Sequence, residues 1–475
     1  MKMKLKYLFV LGLGLGLATT SCSEEDLEPT LAQDKSIETS INEIGDLQAV
    51  LIGAYERIQE NTYYSRDVIV MGEIMSDNTT SNANSNRFVT EAQFSLTPES
   101  GIVATLWENL YEVIGSANII IAAEGISGDE NRINHLKGQA YAIRALTHFD
   151  LVTFYGQQNV TGGESALGVP YVTTFRDNES LFPSRNTVGE VKMMAYADLE
   201  MALSLMDPTF DDPAKEYITT SAVSAIEARI ANYFGDWQRS LTASERVIDS
   251  GNFSVVGADT FLANFDADGG ANMIWEVANT PTDNADINGL ANIYQTGSYG
   301  DVIALPNLAA TYEDGDVRGV SDYDPAAGMA PSTVIGLHPD GTLRNVGKYP
   351  STAPYEDNIP VIRFEEVVLI YAEALLETGN AGDALDWLNM VPENRGATSY
   401  AAATKDNILL ERRKELAFEG FRFHDLMRTG MGVEAKDPVL QLHTGIPFGD
   451  FRLALPIPSS ETAVNSNVQQ NQGYN

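Results

Sequence analysis

Residues 359–396 read IPVIRFEEVVLIYAEALLETGNAGDALDWLNMVPENRG, and residues 404–430 read TKDNILLERRKELAFEGFRFHDLMRTG. In the first stretch Phe364, Val368, Tyr371, Ala372 and Leu375 recur at helical spacing on one face, with Glu366, Glu373 and Glu377 on the other. Gly379-Asn380 punctuates, and Ala384, Leu385, Leu388 and Val391 resume the period. Two amphipathic helices joined by a tight Gly/Asn turn, with small residues at the crossing, form one unit of a tetratricopeptide-like array.

The same rhythm runs through much of the chain. Ile44, Leu47, Val50, Leu51, Ala54 and Ile58 predict a first helix; Trp107, Tyr111, Ile114 and Asn118 a second; Ala140, Ile143, Ala145, Phe149 and Val152 a long third. Thr187 to Met206 is another, and 221–250 reads as a pair turning at Gly235-Asp236-Trp237. Helical hairpins are expected near 44–121, 133–206, 221–250 and 361–428. Residues 251–358 break the pattern: they are rich in Gly, Asn, Asp, Thr, Pro and Tyr, with short β-like runs such as MIWEVAN. A hundred residues between repeats do not make one idle loop, so they should form a second lobe against the helices. The expected class is mostly α: a tetratricopeptide-like helical hairpin array with an irregular, loop-rich second lobe. Residues 76–88, SDNTTSNANSNRF, have no apolar period and predict a long exposed loop. Trp107, Trp237 and Trp387 fall at helix-packing positions, and Trp275, between Ile274 and Val277, reads as core.

The 475 residues include 66 Asp and Glu against 30 Lys and Arg, a formal net charge of −36 and a pI near 4.3. Such a surface repels phosphate backbones, which argues against nucleic acid as a partner. With 44% hydrophobic residues, the chain has ample material for a large core. Cys22 is the one cysteine, so neither an intramolecular disulfide nor a cysteine metal site is open to it.

The position of Cys22 suggests its use. Met1 to Lys6 is basic, Tyr7 to Ala18 apolar, and Thr19-Thr20-Ser21 small. This is the pattern of a secretory signal, too short to span a membrane. A cysteine directly after the cleavage point resembles the acceptor of a bacterial lipoprotein, although Thr19 departs from the usual Leu or Val. The expected organisation is a signal peptide at 1–21, a lipid-anchored flexible tether at 22–40 and a single body at 41–475. Acyl chains on Cys22 would supply stable anchoring to outer-membrane lipid without spanning it.

The wording of the chain is also familiar. RFEEVVLIYAEAL (363–375), ERRKELAFEGFRFHDLMR (411–428) and the closing LPIPSSETAVNSNVQQNQGY (455–474) resemble the SusD/RagB family of outer-membrane nutrient-binding lipoproteins. DLQAVLIGAYERI and TLWENLYEVIGSANIII match its early helices, ATYEDGDVRG resembles its Asp-x-Arg segment, and Ser23-Glu24-Glu25-Asp26 resembles a surface-export signal of Bacteroidetes lipoproteins. Pro392-Glu393 departs from the pattern and should end that helix early, and Gln472 stands where Pro is common. The resemblance implies a cell-surface lipoprotein of the outer membrane, facing outward. It would bind an oligo- or polysaccharide, preferably neutral, and deliver it to a SusC-like TonB-dependent transporter without a cofactor. A peptide ligand, as for RagB-like members, is the alternative within that class. A cell-surface hydrolase and a protein scaffold are the alternatives outside it.

No catalytic constellation stands out. His424-Asp425 beside Glu415 and Glu419 invites a catalytic reading, but Arg412, Glu415, Glu419 and Arg422 alternate in sign at helical spacing, as in a helix laced by ion pairs. The five histidines never pair at metal-ligand spacing, and no Gly-rich phosphate loop or nucleophile elbow appears. Asn284-Ala-Asp286-Ile-Asn288-Gly289 spaces oxygens like a calcium loop, yet Asn284 replaces the leading Asp and Gln295 the bidentate Glu, so an Asn-rich turn is expected. The binding reading rests on aromatics and amides in irregular segments, since sugars stack C–H faces on rings and offer paired hydroxyls to planar polar groups. The candidates are Tyr63, Tyr64, Asn78, Arg87 and Phe88 around the first loop, with Tyr294 and Tyr299 in the second lobe.

Overall fold

In the computed structural model, residues 41–178, 180–295 and 299–474 are described. The leader, Cys22 and the 22–40 tether lie outside the described residues. The helices are α1 (Ile44–Gln59), α2 (Asp67–Ile74), α3 (Gly101–Ala122), α4 (Glu130–Tyr155), α5 (Val188–Leu205), α6 (Thr220–Phe234), α7 (Trp237–Asp249), α8 (Phe364–Glu377), α9 (Ala381–Glu393), α10 (Lys405–Glu415) and α11 (Arg422–Arg428), besides single turns. Local chemistry sets their ends. Asp129 accepts from the Asn131 and Arg132 amides to start α4, and Thr187 with Glu190 forms a capping box on α5. Gly235, at φ 73°, closes α6 and turns the chain directly into α7.

Helices pack as neighbours along the chain: α1 on α3, α3 on α4, α4 on α5, α6 on α7, α7 on α8 and α8 on α9. This is the mostly helical architecture expected, and Ala54, Ala117, Ala140, Ala202, Ala231 and Ala372 are fully buried, small enough to let helices approach closely. Trp275 is fully buried as core. Pro392 fits in the last turn of α9, which stops at Glu393.

The strands are short and join distant parts of the chain. β1 (Thr79–Ser81) pairs antiparallel with β3 (Val302–Ala304), and β2 (Met273–Val277) with β7 (Ile359–Arg363). β4 (Val320–Asp322), β5 (Ile335–Leu337) and β6 (Leu343–Asn345) form a small mixed sheet in that order. Two expectations are corrected here. Residues 76–81 are buried, not an exposed loop, because β1 needs β3 as its partner and the side chains of Ser76, Asp77, Asn78 and Ser81 find partners of their own. The carboxylates of Glu366 and Glu373 do not face solvent: Glu366 pairs with Arg229 at 2.7 Å and Glu373 with Arg428 at 2.7 Å, all inside the protein.

A buried charge network welds the loop-rich region to the helices. Arg318, Lys348, Arg363, Arg395 and Lys414 interleave with Asp316, Glu365, Glu411, Glu415 and Glu419, each no more than 8% exposed. Cations and anions balance, which is the condition for keeping charge in a low-dielectric interior. Glu415 lies at the centre. Its carboxylate accepts from Arg318 Nη1 at 3.1 Å, Arg363 Nη1 at 2.9 Å, and Arg395 Nε and Nη2 at 2.9 Å each. The helix-lacing expectation for Arg412, Glu415, Glu419 and Arg422 is thus replaced by pairing between elements, because the chain leaves the helix at Glu415 and re-enters it at Arg422. Arg412 reaches Asp425, and Arg422 reaches Asp77 at 2.6 Å.

Candidate functional site where the first loop meets the second lobe

α2 aims the segment after it at the second lobe. Gly72 makes this possible: it crosses Gly420 so closely that a Cβ on Gly72 would lie 1.9 Å from the Gly420 carbonyl oxygen. Glu73 of the same helix accepts from the Gly420 amide at 3.0 Å and from Asn78 Nδ2 at 3.1 Å, and burial pushes its carboxyl up to about 7. Asn78 Oδ1 in turn accepts from Arg413 Nε at 2.8 Å, while Asp77 takes both Nε and Nη2 of Arg422. These contacts fix the root of the loop.

The β1–β3 pairing carries the loop to its partner. Asn82 N donates to Asp301 O at 2.9 Å, Asn82 Nδ2 to Gly300 O at 2.8 Å, and Ser85 Oγ to Asp301 Oδ1 at 2.6 Å. Arg344 Nη1, from β6, donates to the same Gly300 carbonyl at 2.5 Å. Ala83, Asn86 and Phe88 hold φ of 60°, 64° and 56°, a left-handed concentration that non-glycine residues adopt at some cost. It lifts Asn84, Ser85 and Asn86 into solvent and sets the Arg87 guanidinium 3.5 Å from the centroid of the Tyr299 ring. A guanidinium over an aromatic face keeps N–H groups available for oxygens at its edge, and here Nη1 reaches Ser85 Oγ at 3.5 Å.

The structure sorts the sequence candidates. It brings Arg87 and Tyr299 together, both partly exposed, though 212 positions separate them in the chain. Tyr63, Asn78 and Tyr294 are fully buried and Tyr64 and Phe88 nearly so, and none offers a face to a ligand in this arrangement. The burial has a physical cause in each case. Tyr63 and Tyr64 both donate to Asp150 Oδ2, at 2.7 and 2.9 Å; Tyr294 packs edge-on to Phe418; Phe88 lies under the Arg66 guanidinium at 5.8 Å. Asp301 and Arg344 were missed. Asp301 is wholly buried beneath Ser85 with Oδ2 unpartnered, and no local pattern in the sequence marks it.

The acid–base pair that invited a catalytic reading is enclosed. Burial holds the His424 imidazole down, to about 4, and Asp425 is kept below the usual carboxylate range, against its own burial, by Arg412 and Arg428. Asn284 spends its amide on Thr280 and Pro354 carbonyls and its Oδ1 on the Asp286 amide, which is the chemistry of a turn. Among the described residues, no group of three or more His, Cys, Asp or Glu converges on a point. No described helix is long and apolar enough to cross a membrane.

Comparison with known proteins places this architecture. Residues 226–474 match the model of the SusD family, and residues 27–231 match a model described as starch-binding associating with outer membrane. The chain is 25% identical to SusD-like protein P2 of Formosa agariphila over 90% of its own length and 92% of that protein's. It is 33% identical to the starch-binding protein SusD of Bacteroides thetaiotaomicron over 136 residues, 28% of this chain and 24% of the other. A SusD superfamily structure from Bacteroides vulgatus superposes with a TM-score of 0.81 at 26% identity, covering 91% of this chain and all of that one. Another, from Bacteroides thetaiotaomicron, gives 0.79 at 25% identity over 90% and 99% of the two chains. With one family model spanning more than half of its length and solved members superposing on nine-tenths of it, the chain belongs to the SusD/RagB family of Bacteroidetes.

Proposed function

We propose that the protein is a lipid-anchored binding protein of the outer membrane that captures a neutral oligo- or polysaccharide at the 82–88/299–301 junction. It then delivers the glycan to a SusC-like TonB-dependent transporter. The observation that carries the reading is the Arg87–Tyr299 pair, an aromatic ring beneath a guanidinium whose Nη1 reaches the Ser85 hydroxyl at 3.5 Å, set beside the exposed amides of Asn84 and Asn86. Rings offer stacking to sugar C–H faces and planar groups grip neighbouring hydroxyls. The relatives support it: one is named a starch-binding protein, and one family description pairs starch binding with the outer membrane. Under this reading Cys22 carries the lipid and 22–40 is a tether. The body from 41 onward acts as one unit, and Arg87 and Tyr299 are the ligand-contacting residues. No chemistry is assigned to the site, in keeping with the enclosed His424–Asp425 pair.

The test is affinity electrophoresis of the soluble form, residues 23–475, in gels holding neutral or anionic polysaccharides, with a peptide digest measured in parallel. Retardation by a neutral glycan, weakened by Tyr299→Ala and by Arg87→Ala, is the expected result. Peptide binding without any glycan retardation overturns the sugar reading.

A further inference from the structure

A cleft of about 960 Å³ opens between the outer faces of α1 and α3 and residues 170–177 and 180–183. It shares no lining residue with the Arg87–Tyr299 junction. Two half-buried rings, Tyr111 and Phe175, line it, and the Tyr111 hydroxyl is committed to the Pro170 carbonyl at 2.8 Å. What Tyr111 has left to offer a ligand is therefore its ring. At the mouth Arg57 pairs with Glu112 at 3.2 Å, and the Ser180 hydroxyl donates to Asp177 at 2.9 Å while meeting Thr174 at 3.0 Å. With Glu108 and Glu461 also on the lining, four carboxylates face two guanidinium groups, those of Arg57 and Arg176. Such a rim disfavours a polyanion.

Gly53 adds an independent argument. It sits in the middle of α1, where glycine costs about 1 kcal/mol against alanine. Its backbone is not left-handed, and a Cβ there would meet nothing within 4 Å. Packing therefore does not ask for glycine at this position, which borders the cleft on one side and a groove lined by Glu56, Glu60 and Asp283 on the other.

We infer that this cleft is a second carbohydrate site, taking an uncharged oligosaccharide chain. The inference rests on the reading of the protein as a glycan binder and adds a place that neither the family match nor the junction assigns. The volume lies at the top of the ~300–1,000 Å³ range that encloses a small ligand. A sugar suits the walls better than a peptide does. The helical walls pair their backbone groups internally, and in the irregular wall the Pro170, Val172 and Thr174 carbonyls and the Tyr171 and Val172 amides are already bonded to side chains, so an extended peptide would find no strand edge there. Sugar hydroxyls would be met by side-chain carboxylates, hydroxyls and guanidinium groups, and sugar rings by Tyr111 and Phe175.

The experiment is isothermal titration of residues 23–475 with the neutral oligosaccharides of the glycan panel, comparing wild type, Arg87→Ala/Tyr299→Ala, Gly53→Trp, and the three changes combined. Circular dichroism checks each fold, and Phe175→Ala removes one ring as a second route to the same loss. Two classes of site are expected in the wild type. The junction variant should keep one class, and adding Gly53→Trp should weaken it at least tenfold; Gly53→Trp alone should leave the other class unchanged. A single class abolished by the junction variant, or no effect of both Gly53→Trp and Phe175→Ala, overturns the inference while the glycan function stands. Displacement of cleft binding by the peptide digest, with no sugar bound there, overturns it in favour of a peptide. Failure of every form to bind any glycan removes the function itself, and this site with it.

Discussion

Glu415→Gln is the most informative single change available in this fold. Glutamine keeps the shape of the side chain and removes one negative charge from a network that is balanced at five cations and five anions. Whichever oxygen becomes the amide nitrogen, Arg395 loses one of its two bonds to the side chain and either Arg318 or Arg363 loses its own, and the new amide N–H₂ faces guanidinium donors instead of accepting from them. Removing one partner of a buried ion pair costs roughly 3–5 kcal/mol, because the uncompensated charge cannot reach water. An exposed pair costs about 0–1 kcal/mol, so Glu200→Gln, which loses the Arg239 contact at the surface, is the internal control. The assay is urea denaturation at pH 7, followed by tryptophan fluorescence and circular dichroism. Three of the network's members, Asp316, Arg318 and Lys348, come from the loop-rich region. Separation of the two signals into distinct transitions is therefore expected alongside the drop in midpoint. A Glu415→Gln midpoint within experimental error of the Glu200→Gln midpoint would refute the view that this network holds the two parts together.

Gly72→Ala should destabilise by about 3 kcal/mol or more, at or beyond the upper end of ordinary overpacking, because its Cβ meets backbone that cannot swing aside; normal expression and an unchanged urea midpoint would show that the α2 crossing is looser than described. Glu276, which burial pushes up to about 7, makes folding weaken as pH rises from its unfolded value near 4.3 to about 7. The stability of Glu276→Gln relative to wild type should therefore be more favourable at pH 8 than at pH 4, and an equal difference at both would contradict this. The acid limb has the opposite sign. Glu415, Glu419 and Asp425, all held below their ordinary values, contribute stability above about pH 4 that is lost as pH falls further, so urea midpoints should drop as pH is lowered below about 4. Tyr299→Ala should lower affinity for the retained glycan about five- to tenfold, the loss of one stacking contact of ~1 kcal/mol or slightly more, with little change in unfolding midpoint.

Periodicity located the helices because burial of one face is written locally: Phe364, Val368, Ala372 and Leu375 repeat within a few turns, and all four lie in the core. The charged positions misled for the complementary reason. Glu366, Glu373 and Glu415 look like the solvated side of a helix in the sequence, yet Arg229, Arg428, Arg318, Arg363 and Arg395 come from elsewhere to neutralise them. A carboxylate is buried only if its partner arrives, and its own neighbours in the chain do not announce that partner. The candidate site shows the same division. Irregular, amide- and aromatic-rich segments marked where ligand contacts could lie, and Arg87 and Tyr299 were among the residues named. Which of them face outward was decided by β1 finding β3, by Asp150 claiming Tyr63 and Tyr64, and by the fold closing over Asn78 and Tyr294. The sequence by itself determined the helical class, the family and the acidic surface, all properties carried by short-range pattern and composition. The pairing of residues some 200 positions apart, the burial of charge and the cleft beside Gly53 belong to tertiary structure alone, since each depends on where a distant segment comes to rest.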